Sequence, residues 1–189
     1  MQLTAGGWIF LAIMAVVVVV VITMYNRLVR LRQQVRGAWA DVDVQLKRRA
    51  DLVGNLVETV KGYATHEERT LSEVTRWRSA TATAPDPQAR TTAENGLTQA
   101  LRSLFALAEA YPNLKADASF IALQSELSQL ETDTLDARRY YNAVVRDYTT
   151  ALETFPSSLV ATLGRFRGLP FIALDREADR EPPRVSFGR

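Results

Sequence analysis

No cysteine occurs among the 189 residues, which removes disulfides, thiolate nucleophiles and thiolate metal sites from consideration. His66 is the only histidine, so sites that need two imidazoles are excluded, including the carboxylate-bridged di-iron centres of some four-helix bundles. HEERT at 66–70 opens like the HExxH helix of zinc proteases, but Thr70 stands where the second histidine must be. Glycine is sparse, and neither GxxxxGK nor GxGxxG occurs, so the usual phosphate-cradling loops are missing. An excess of one charge is lacking as well: 23 Lys and Arg against 21 Asp and Glu leave a net charge of +2. The pI of 9.1 is no argument for a nucleic-acid partner, because acids and bases are interspersed along the chain. The composition therefore points to no cofactor, no metal and no catalytic residue, and the chain reads as a non-enzyme.

What is present is periodicity. In AWADVDVQLKRRADLVGNLVETVKGYATHEERTLSEVTRWR, residues 38–78, apolar side chains fall at Val42, Leu46, Ala50, Val53, Val57, Val60, Ala64, Leu71 and Val74. Steps of mostly three and four place them on one face of an α-helix, and the spacing predicts a single helix through Arg78. Such a narrow stripe needs other helices to cover it. Upstream, AGGWIFLAIMAVVVVVVITM at 5–24 carries no charge and has about the 20 residues a helix needs to cross a bilayer. Trp8 and Tyr25 sit at its two ends, as interfacial aromatics do.

Arg27, Arg30, Arg32 and Arg36 follow with no acid before Asp41. The positive-inside rule then predicts a single-pass protein with its N-terminus outside and its C-terminal part in the cytoplasm. The same four arginines are candidates for binding anionic lipid headgroups. No proline separates the apolar run from the amphipathic helix, so one continuous rod is expected, with about 80 Å of it outside the membrane at 1.5 Å per residue.

Residues 79–94, SATATAPDPQARTTAE, lose the pattern around Pro85 and Pro87, where the chain is expected to turn. A second helix takes Leu97, Leu101, Leu104, Phe105, Ala108 and Tyr111, and a third begins after an N-cap at Asp117 or Ser119. The third repeats every seven residues, with Phe120, Leu127, Thr134, Tyr141, Tyr148 and Phe155 in one series, the requirement of left-handed helix packing. The predicted fold is all-α: an N-terminal transmembrane helix (1–24) running into a long antiparallel helical bundle with coiled-coil-like packing (25–164). An extended C-terminal tail (165–189) would fray, or lay Phe166, Phe171 and Phe187 along the bundle or a neighbouring subunit.

The run AWADVDVQLKRRADLVGNLVETVKGYATHE resembles the signature of the LemA family, and later stretches are similar to it too: ALRSLFALAEAYPNLKA at 100–116, LQSEL at 123–127, YNAVV at 141–145 and FPSS at 155–158. The resemblance implies a membrane-anchored antiparallel bundle whose biochemical activity is undefined. A magnetosome protein and members encoded near membrane proteases are among the relatives that it implies. Within the motif, Arg48, Arg49, Asp51, Asn55, His66 and Glu67 are candidate interaction residues. His66 has a plain alternative as a solvated histidine, and Lys47-Arg48-Arg49 as ordinary surface charge, with Lys47 paired to Asp51. The expected role is a scaffold of the bacterial inner membrane that self-associates and meets a membrane protein partner such as a protease. The alternative is an oligomer that remodels the membrane.

Overall fold

The computed structural model describes residues 5–64, 66–84 and 87–172. Six helices occur among them: α1 (Ala5–Lys61), α2 (Glu68–Thr83), α3 (Pro87–Ala108), α4 (Pro112–Lys115), α5 (Ala118–Glu153) and α6 (Ser157–Leu163). The apolar run does continue into the amphipathic helix without interruption, giving α1 a length of 57 residues. None of its apolar segment is buried against the rest of the chain, and by length and composition that segment could cross a membrane.

The single helix expected through Arg78 is broken. α1 stops at Lys61 and tightens through Gly62, with Tyr63 and Ala64 N–H both donating to the Val60 carbonyl at 3.0 and 2.9 Å. Between Ala64 and Leu71 the chain supplies no apolar residue, so nothing would hold a continued helix against a neighbour. α2 instead folds back along α1. From Tyr25 to Lys61 the rod is about 55 Å long at 1.5 Å per residue, shorter than the expected stalk.

The turn at the prolines is also narrower than expected. α2 persists to Thr83 and α3 starts at Pro87, because proline is disruptive inside a helix and tolerated in its first turn, where the missing N–H has no partner to lose. Two close approaches hold α2, one to α1 and one to α3. Arg78 Nε donates to the Ala50 carbonyl at 2.6 Å, with its guanidinium laid over Gly54; the Trp77 ring rests on Gly96. At both glycines a Cβ would collide with the ring or guanidinium.

α5 runs antiparallel to α1 and fixes the architecture. Its N-cap is Asp117, whose Oδ1 accepts the Phe120 N–H at 2.9 Å. Phe120, Leu127, Thr134, Tyr141 and Tyr148 are buried, as the seven-residue series requires, and the Thr134 hydroxyl donates to the Leu130 carbonyl at 2.7 Å. Phe155 leaves the series and is exposed.

Two halves result. In the half far from the apolar run, α1, α2, α3 and α5 enclose a core that includes Val53, Leu56, Val60, Val74, Leu97, Leu104, Leu114 and Phe120. In the near half α1 and α5 pair through Val35, Val42, Tyr141, Val145 and Tyr148. Here the covering comes from α6 and from the segment after it. Tyr141 Oη donates to the Pro170 carbonyl at 3.0 Å, while Asn142 both donates to the Ile172 carbonyl at 2.8 Å and accepts its N–H at 2.9 Å. Phe166 therefore lies along the bundle, Phe171 is exposed, and Phe187 falls outside the described residues.

Candidate functional site

The six residues singled out in the motif separate into three environments. Arg48, Asp51 and Asn55 are exposed and, with Val44, follow one face of α1 at steps of four, three and four. That face is open to another molecule. Lys47 is exposed beside it but pairs with Asp43 at 2.8 Å instead of Asp51. Asp43 also receives Arg90 from α3 at 2.7 Å. The hydrogen bond from Lys47, aided by Arg90 and opposed by partial burial, holds the Asp43 carboxyl below the usual carboxylate range.

Arg49 does not share this surface. Its side chain is 8% exposed and bonds Glu94 Oε2 at 2.7 Å, while Nη2 donates to Thr98 Oγ1 at 3.0 Å. Arg138 of α5 brings a second guanidinium 4.0 Å from the same carboxylate, and Glu94 itself is 2% exposed. Three helices thus meet at one buried, charged layer. Burying a lone carboxylate is costly, and two flanking cations compensate for the lost hydration. Glu94 Oε1 has no hydrogen-bond partner among the described residues, so compensation is incomplete. Beside the layer, a cleft of about 250 Å³ is lined by Arg49, by Thr98 and Arg102 of α3 and by Gln124 and Glu131 of α5.

Sequence reasoning placed Arg49 among exposed candidates and passed over Glu94 and Arg138. A signal was present. Arg49 falls in the seven-residue series Leu28, Val35, Val42, Leu56, and Glu94 in the series of Leu101 and Ala108, all of them buried. A charge at a seam position marks an internal ion pair, and it becomes visible only once the register of both helices is known.

His66 and Glu67 lie in the turn between α1 and α2. His66 is exposed. Glu67 Oε1 accepts from Tyr111 Oη at 3.1 Å, and nearby Tyr63 Oη donates to Asp117 Oδ2 at 2.9 Å. These two phenol–carboxylate bonds tie the turn to the starts of α4 and α5 and raise both phenol pKa values, since each bonded carboxylate favours the protonated donor. Asp117 is held low, first by the Phe120 amide and then by Tyr63. Glu67 is thereby engaged within the chain, and His66 is the member of the pair presented outward.

Of the four arginines after the apolar run, Arg27, Arg30 and Arg36 are exposed. Arg32 is turned inward over the Phe166 ring, 5.1 Å from its centroid. Among the described residues, no cluster of three or more His, Asp or Glu side chains could hold a metal ion.

A profile described as the LemA family matches residues 38–187. Protein LemA of Metamycoplasma hominis is 26% identical over 140 residues, covering 72% of this chain and 63% of the relative. The chain therefore spans less than two thirds of that relative's length.

Proposed function

The chain belongs to the LemA family, and on that premise we propose that it is a membrane-anchored helical scaffold, with α1 crossing the inner membrane once and the bundle in the cytoplasm. The observation that carries this reading is the continuity of α1: one 57-residue helix is bare over its apolar part and packed against α5 beyond it. A core helix of a soluble protein would be covered over its most apolar stretch. Function then resides in exposed surfaces, chiefly the Arg48, Asp51 and Asn55 face and the outward His66, through which copies of the chain and a membrane protein partner are engaged. No chemical step is assigned to any residue.

The test is in-membrane crosslinking of the intact chain followed by identification of the products. Products containing a second copy or a co-purifying membrane protein, lost on Arg48→Ala with Asp51→Ala, support the scaffold. A solely monomeric product at native abundance contradicts it. A second reading, bilayer remodelling, is favoured by Arg27, Arg30 and Arg36 projecting beside the apolar segment. Liposomes that keep their shape at high coverage with the purified chain would remove that reading.

A further inference from the structure

We propose that the elbow following α5, residues 154–163, is a second membrane contact, with Phe155, Leu159 and Leu163 set into the interfacial layer of the bilayer that α1 crosses. The inference rests on the anchored reading of α1 and adds to it a foot that fixes how the bundle stands.

The inner face of α6 sets its height. Val160 and Ala161 pack with Leu28 and Ala151, and Met24, Leu31 and Phe166 close the same cluster. The Phe166 ring meets Tyr25 edge-on at 5.5 Å. Leu28 lies four residues past Met24, about 6 Å along the helix at 1.5 Å per residue. Headgroup layers add roughly 5–8 Å on each side of the hydrocarbon core. α6 is thus held at the level where the apolar run meets the headgroups.

Its outer face has no partner in the described chain. On α6, Leu159 and Leu163 stand four residues apart and are 59% and 85% exposed, and Phe155, two residues before the helix, is 75% exposed. Elsewhere in the bundle, exposed large apolar residues such as Val44, Ile121 and Tyr140 are scattered singly, as is ordinary for a protein surface. A clustered set continuous with a bare apolar helix is not ordinary.

Charge favours an anionic surface over a neutral or basic one, and the height of α6 on α1 makes that surface the bilayer. Residues 154–172 include Arg165 and Arg167, both exposed, with no Asp or Glu, and residues 25–40 contribute Arg27, Arg30, Arg32 and Arg36 with no acid. Exposed apolar side chains together with exposed Arg27, Arg30, Arg165 and Arg167 match the chemistry of an anionic membrane, which offers acyl chains and phosphates. Long arginine stems reach phosphates while the apolar tips stay below them.

The absence of cysteine makes the test clean, since one introduced cysteine is a unique label site. The full chain in anionic phospholipid vesicles carries an NBD fluorophore at Leu159→Cys or Leu163→Cys, with Val19→Cys reporting the anchor and Glu126→Cys, exposed on α5 in the far half, reporting water. Expected emission at Leu159→Cys and Leu163→Cys is blue-shifted relative to Glu126→Cys and quenched most by lipids bearing a shallow nitroxide, while Val19→Cys is quenched most by a deep one. Iodide quenching at the elbow equal to that at Glu126→Cys, with Val19→Cys still quenched from lipid, overturns the foot and leaves the anchor. Protection at the elbow from both iodide and nitroxide lipid also overturns it, because protein then covers the site. Iodide access at Val19→Cys refutes the anchor itself.

Discussion

The far and near halves meet the same requirement, covering the apolar stripes of α1 and α5, with different materials. In the far half two further helices, α2 and α3, close a core on all sides. In the near half only α6 and the 164–172 segment are at hand, and the covering relies on single groups: Phe166 between Tyr25 and Arg32, the Tyr141 hydroxyl on Pro170, and the paired bonds of Asn142 with Ile172. The difference teaches where the chain is self-sufficient. Four helices enclose volume, whereas two share only a seam. The half beside the apolar run leaves Phe155, Leu159 and Leu163 exposed.

The comparison is broken most severely from within the far half. Glu94→Ala leaves Arg49 buried without the carboxylate it bonds, and the expected loss is about 3–5 kcal/mol of stability. Combining Glu94→Leu with Arg49→Met should recover part of that loss, since an apolar pair can replace a buried ion pair at little cost. Chemical denaturation of the intact chain in detergent micelles, followed by helical circular dichroism, reads both variants. A loss under 1 kcal/mol for Glu94→Ala would show that water reaches this layer. Next in size is Gly96→Ala, whose Cβ would stand 2.4 Å from the Trp77 ring; pushing the ring aside is expected to cost about 1–3 kcal/mol in the same assay.

A smaller, local effect is expected in the near half. Asn142→Ala removes both bonds to Ile172, worth roughly 1–2 kcal/mol together. Hydrogen exchange should quicken in residues 164–172 with the far half unchanged; equal quickening in α3 would mean that the halves are one cooperative unit. The smallest effect is that of pH. Because the folded Asp43 carboxyl is held low, its contribution is present above the usual value near pH 4 and is lost as pH falls through the folded value. The melting midpoint should fall on acidification below about pH 4, and Asp43→Asn should remove part of that fall.

Much of this partition was legible in residue order. Leu127, Tyr141 and Tyr148 announced α5 through their seven-residue spacing, and the Asp117 cap marked its start. The break after Lys61 was less legible because Leu71 and Val74 resume the helical phase; only the apolar gap at 65–70 betrays the turn. Pro85 and Pro87 looked equivalent as breakers, yet Pro87 begins α3, where its missing N–H has no partner to lose. Arg48, Asp51 and Asn55 could be placed outside from their phase relative to Val53 and Leu56. The partner of Arg49 could not, because Glu94 lies 45 residues away in sequence and pairing between helices depends on their stagger.

Alkaline carbonate extraction of cell membranes containing the intact chain, read by immunoblot of pellet and supernatant, tests the anchoring claim most directly. The account predicts full-length chain in the pellet after high-salt and carbonate washes, released only by detergent. Full-length chain in the washed supernatant would contradict it.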